Sequence, residues 1–136
     1  MAKITVEVGK TENNYSAHII VGDGICVATG KTFNELKEHM QDALDFHLHG
    51  MEEDGDDIPV EFSGKYELVY KFNTESILHY YNGIITNAAL ERLTGINQRQ
   101  LQRYASGKSN PKSTQIKKIE KALHNLGQDL ISVNLN

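Results

Sequence analysis

Apolar and polar residues alternate along Ile4-Thr5-Val6-Glu7-Val8, the period of a half-buried strand, and Glu12-Asn13-Asn14 then supplies a turn. Tyr15 to Val21 predicts a second strand. Gly22-Asp23-Gly24 is turn punctuation, after which Ile25-Cys26-Val27-Ala28 returns as a third strand of a meander. From Thr32, a helix N-cap with Glu35 three residues on, the spacing of Phe33, Leu36, Met40, Ala43, Leu44 and Leu48 predicts an amphipathic helix ending near Gly50. That helix would cover one face of the sheet. After an acidic loop from Glu52 to Asp57, the positions Val60, Phe62, Tyr66, Leu68, Tyr70 and Phe72 predict one further strand, interrupted at Ser63-Gly64. The order is βββαβ, an α+β layer.

Beyond residue 72 the period changes. Asn73 or Thr74 caps a helix carrying Ile77, Leu78 and Tyr81, stopped by Asn82-Gly83. Thr86 or Asn87 caps a second helix with Ala89, Leu90 and Leu93 facing inward, and Gly95 breaks it. Asn97 then caps a third, with Gln100 at capping-box spacing; Leu101, Tyr104 and Ala105 fall on one side. After Ser106-Gly107 and Pro111, Ile116, Ile119, Leu123 and Leu126 mark a fourth helix closed by Gly127. Ile131, Val133 and Leu135 alternate, the pattern of a short C-terminal strand that can pair with another copy of the chain. The chain thus divides into an α+β domain over 1–72 and an all-α domain over 73–136.

Charge sharpens that division. The whole chain carries −4, but residues 1–72 hold six lysines against fourteen acids, a net −8, and residues 73–136 hold eight bases against four acids, a net +4. All three arginines, Arg92, Arg99 and Arg103, lie in the second part, and only arginine offers the planar fork that suits phosphate or guanine. An acidic module precedes one that approaches phosphate. No apolar run reaches the roughly 18 residues of a membrane span, and no basic region followed by an apolar stretch opens the chain, so a cytoplasmic protein is expected. Cys26 is the only cysteine, which excludes an intrachain disulfide and a cysteine zinc cluster; it reads as a small buried residue within a strand.

Between Thr94 and Arg103 the chain has the attributes of a helix-turn-helix: small or apolar residues at the crossing (Ala89, Gly95, Ile96, Leu101) and a polar outer face on the second helix. Gln98, Arg99, Gln102 and Arg103 form one polar arc able to read adenine and guanine edges in a major groove. Asn97, Lys108, Ser109 and Lys112 are the candidate phosphate contacts, which position the protein without carrying sequence information. Lys117, Lys118 and Lys121 read instead as a solvated helix face. An ordinary helical pair with a wet polar face is the bland alternative, disfavoured because bases gather on the reading face and on the loop after it.

Other chemistry is poorly supported. His47 and His49 precede an acid run, but residues two apart on a helix project about 200° apart, and the acids lack the ligand pattern of a calcium loop. A solvated loop is the better reading, so no metal or cofactor is expected. Asp23 sits in a Gly-Asp-Gly sequence that a turn requires for its own dihedral reasons. Neither a nucleophile elbow nor a phosphate-cradling loop occurs, leaving no catalytic residue to assign and no positive case for an enzyme.

The chain resembles the HicB family of bacterial type II antitoxins, in the branch whose C-terminal part is a helix-turn-helix of the Cro and lambda-repressor class. In the first half the resemblance rests on the Tyr15 strand, on Gly24-Ile25-Cys26-Val27-Ala28-Thr29-Gly30-Lys31-Thr32 with its following helix, and on Ile58-Pro59. In the second it rests on Ala89, Gly95-Ile96-Asn97, the Leu101, Tyr104 and Gly107 spacing, Pro111, and Ile116 with Ile119. The resemblance implies a partial RNase H-like N-terminal domain that binds and occludes a small basic HicA-like mRNA-cleaving toxin. It also implies a homodimer or higher homo-oligomer that represses its own operon. The chain departs from the family at Ile20-Val21-Gly22-Asp23 and Glu61-Phe62, where members carry prolines. Two readings compete with the antitoxin: a free-standing transcriptional regulator whose N-terminal domain senses a ligand or dimerises, and a metal-dependent RNA-processing enzyme using Asp23 and Glu61.

Overall fold

A computed structural model describes residues 1–136. The chain divides into two compact units, Met1–Ser76 and Ile77–Asn136, each with its own hydrophobic core.

The first unit contains β1 (Ala2–Lys10), β2 (Tyr15–Val21), β3 (Gly24–Gly30), α1 (Phe33–Glu53), a 3-10 turn over Val60–Phe62 and β4 (Tyr66–Phe72). The sheet order is β3-β2-β1-β4; the first three strands form an antiparallel meander and β4 joins β1 in parallel. That parallel pairing requires a crossover, which α1 provides. Alternation sorts the strands cleanly. Ile4, Val6, Val8, Ala17, Ile19, Val21, Cys26 and Ala28 are buried on the face that meets Leu36, Met40 and Leu44 of α1. Each such aliphatic side chain removed from water contributes about 1.5–3 kcal/mol before entropy is counted. The other face carries Thr5, Glu7, Ser16, His18, Ile20, Ile25, Val27 and Thr29, all exposed.

Gly30 has a specific task. A Cβ there would lie 2.5 Å from the Leu36 nitrogen and 2.8 Å from its Cα, so only glycine lets the first turn of α1 pack directly on β3. Thr32 caps that helix, its Oγ1 accepting from the Glu35 amide at 3.1 Å.

In the second unit, the end of α2 (Thr74–Tyr81) is followed by α3 (Asn87–Thr94), α4 (Gln98–Ala105) and α5 (Ser113–Ile131). Leu78, Leu90, Ile96, Leu101, Tyr104, Ala105 and Ile119 form the core. The division between units falls inside α2, which Asn73 caps through a 2.9 Å bond from the Ser76 amide.

Several boundaries differ from the sequence expectation. α1 passes through Gly50 to Glu53 and stops where Gly55 takes φ 74°; α5 passes through Gly127 to Ile131. A single glycine inside a helix costs only about 1 kcal/mol against alanine, too little by itself to end the helix. Residues 132–136 form no strand within the chain, because Ile131 is already the last helical residue. Leu93, expected inside, is 44% exposed; Leu90 alone of that trio is fully buried. The stretch from Val60 to Phe72 is a 3-10 turn and then a strand, with the break at Ser63-Gly64 as the pattern indicated.

Candidate nucleic-acid interface

Local hydrogen bonds fix α3, its turn and α4 as one device. Thr86 caps α3 by accepting from the Ala89 amide at 3.1 Å, and Gly95 ends it in the left-handed region at φ 77°. Thr94 donates its hydroxyl to the Leu90 carbonyl at 2.6 Å and accepts from the Ile96 amide at 3.0 Å, satisfying polar groups that the sharp turn strands. Asn97 caps α4 through the Arg99 amide at 2.8 Å. The Glu91 carboxylate reaches from α3 to accept from the Gln98 amide at 2.9 Å, so the earlier helix completes the cap of the later one. The expected reciprocal box does not form. Asn97 accepts from the Arg99 amide rather than from that of Gln100, and the Gln100 side chain instead donates to the Ser109 hydroxyl at 3.2 Å.

Leu101, Tyr104 and Ala105 anchor α4 in the core. Gln98, Arg99, Gln102 and Arg103 are all exposed on the remaining arc, so the structure brings together the four base-reading candidates. No carboxylate forms an ion pair with either arginine. Gln102 is partly committed: its Oε1 accepts from the Asn87 side chain at 2.9 Å. That bond takes the amide oxygen and leaves the NH2 group to donate to an acceptor such as guanine O6 or adenine N7.

The candidate phosphate contacts are less uniform. Asn97, Lys108 and Lys112 are exposed, while Ser109 is half-buried and holds Gln100. The loop between α4 and α5 is pinned rather than loose. Gly107 takes φ 77°, and the Lys108 and Ser109 amides both donate to the Arg103 carbonyl, at 3.0 and 3.3 Å. Lys108 is therefore presented from a defined backbone position next to Arg103. Lys117, Lys118 and Lys121 are exposed along α5, opposite buried Ile119.

Two residues that brace α4 escaped sequence reasoning. Asn87 and Glu91 belong to α3, and no local pattern announces that their side chains serve α4.

Elsewhere, His47 packs beside Gly24 and His49 pairs with Glu53 at 3.2 Å, so the two histidines do not converge. No group of three or more His, Cys, Asp or Glu side chains is arranged to hold a metal ion. Asp23 occupies the β2–β3 turn and Glu61 the 3-10 turn. An open trough of about 420 Å³ lies on the free sheet face where Gly9 lacks a side chain, bordered by Glu7, Ser16, His18, Thr29 and Asn73. Burial pushes the Cys26 thiol and the Tyr70 phenol above their ordinary pKa values.

A helix-turn-helix family model matches residues 83–125, the span from the end of α2 into α5. No curated protein and no solved structure matches the chain. The matched region is a DNA-binding domain of the Cro and lambda-repressor-like type, and it marks the chain as a transcriptional regulator. No helix is long and apolar enough to cross a membrane.

Proposed function

We propose that the chain is a non-enzymatic antitoxin and repressor acting in the cytoplasm: its first unit masks a small basic mRNA-cleaving toxin of the HicA type, and its second binds the operator of the shared operon. The observation that carries this reading is the joining of a DNA-reading helix to a separately folded unit whose formal charge is strongly negative. An acidic surface attracts a basic protein and repels nucleic acid, so DNA binding alone leaves the first unit without a task. The βββαβ order and the sequence resemblance to HicB-type antitoxins, including a partial RNase H-like first domain, support the same assignment.

On DNA, Arg99 and Arg103 read guanine edges, Gln98 and Gln102 stand beside them, and Lys108 and Lys112 meet phosphates. A symmetric homodimer would place its two α4 helices about 34 Å apart on a palindromic site.

Co-expression with any small basic protein encoded next to this gene tests the toxin assignment. The expected result is co-purification and rescue of growth. Toxicity that persists despite soluble expression of both proteins overturns it. The runner-up, a regulator whose first unit senses a small ligand, draws on the trough above Gly9. It predicts instead a metabolite-dependent change in operator affinity with no protein partner.

A further inference from the structure

We infer that the outer edge of β3 is a strand-addition site, at which an extended segment of the basic protein partner joins the sheet as a fifth strand. This rests on the masking function proposed above and places its contact. β3 pairs with β2 alone, at the end of the sheet. The two are joined by the two-residue turn Gly22-Asp23, so Val21 and Gly24 exchange hydrogen bonds across its base. Antiparallel alternation then turns the main-chain groups of Ile25, Val27 and Thr29 outward, away from β2. One of them shows its direction: the Thr29 carbonyl accepts from Nδ1 of His39, reaching from α1 at 2.6 Å. Ile25 and Val27 are left facing solvent.

Side chains on both sides suit an added strand. Ile25 and Val27 are 62% and 65% exposed on the open sheet face, and Ile20, paired with Ile25, is 67% exposed. On the opposite side, Phe46 follows His39 by two helical turns, within about 20° of the same helix side, and is 82% exposed. An incoming strand would lay alternate side chains on Ile25 and Val27 and on Phe46, the arrangement of β-augmentation. Apart from the His39 ring on the Thr29 carbonyl, nothing guards the edge. β3 carries no charge, no proline and no bulge, whereas β4 at the far edge carries Glu67 and Lys71.

Charge selects the occupant. Glu35, Asp42 and Glu53 share the His39 and Phe46 side of α1, with neither lysine nor arginine among them. A second copy would oppose those carboxylates with its own, while a basic segment is attracted.

The test uses the full chain and, as probe, a small basic protein encoded beside its gene that co-purifies with it. Hydrogen exchange is measured with and without partner, together with the affinities of Phe46→Ala and Val27→Pro, the second removing an outward amide. The expected result is at least tenfold slower exchange at Ile25 and Val27 in the complex, with at least tenfold weaker binding by Phe46→Ala and unchanged operator binding. A complex with unprotected Ile25 and Val27 amides and an unaltered Phe46→Ala affinity overturns the edge site while the masking function stands. No complex with the unaltered chain removes both. Protection that grows with chain concentration in the absence of partner assigns the edge to a second copy and overturns the proposal. If Val27→Pro does not fold, exchange and Phe46→Ala decide.

Discussion

Gly30 and Cys26 sit on neighbouring stretches of β3, yet they constrain the first unit in opposite ways. Gly30 is defined by what cannot be added, since a Cβ would press on the backbone of Leu36 rather than on a yielding side chain. Gly30→Ala should therefore destabilise the unit by about 1–3 kcal/mol, as overpacking does, and lower its thermal midpoint without moving operator affinity. An unchanged midpoint would mean that α1 can slide off β3 at no cost. Cys26 is defined by the charge it cannot carry. At 5% exposure its neutral thiol is favoured and its folded pKa is raised. Stability from burying the neutral form is present below the unfolded thiol pKa of about 8.5 and is lost as pH rises through the higher folded value. Cys26→Ala should flatten this alkaline decline in denaturant titrations, and the native thiol should resist thiol reagents near pH 7 until the chain unfolds. On α4, Arg99→Ala should weaken operator binding by about 1–3 kcal/mol and relax preference at one base pair, measured by titrating single-base operator variants.

At the scale of elements, the turn between α3 and α4 depends on one backbone conformation. Gly95 takes φ 77° in open space, so Gly95→Ala meets no steric neighbour and its cost is conformational, about 1–2 kcal/mol. Gly95→Asn should recover part of that loss, since asparagine tolerates the left-handed region; equal effects of both variants on chemical denaturation would point to packing instead. This turn was legible in the sequence because glycine, cap and apolar periods are local signals. The strands were legible for the same reason, as each alternates toward one buried face. Helix ends at Gly50 and Gly127 misled because a lone glycine is a weak breaker when residues such as Met51 or Leu130 continue the helix beyond it. What no local pattern could reveal was the pairing of β1 with β4, the service of Asn87 and Glu91 to α4, and the open edge of β3. Each depends on residues brought together by topology. The exposed polar arc of α4 was legible, but the bond that commits half of the Gln102 amide was not.

For the whole molecule, the acidic and basic units are expected to act on DNA against each other. A polyanion attracts the lysines and arginines of the second unit and repels the carboxylates of the first, and both effects decay over the Debye length, about 10 Å at 0.1 M salt. The exposed acids Glu52, Glu53, Asp54, Asp56 and Asp57 lie at the end of α1 and just beyond it, remote in sequence from the reading helix. Replacing all five by their amides should tighten binding to operator and to unrelated DNA alike at low salt. That gain should shrink toward zero as salt rises through several tenths molar, because the missing repulsion is long-ranged and carries no base information. A gain that survives at high salt, or appears for the operator alone, would show instead that this segment touches the DNA–protein interface directly. A basic protein seated on the first unit would neutralise the same charges without mutation. On the proposed function the charge division would also couple the two units, and parallel salt titrations of the quintuple variant and of a partner complex should converge on the same curve if the coupling is electrostatic.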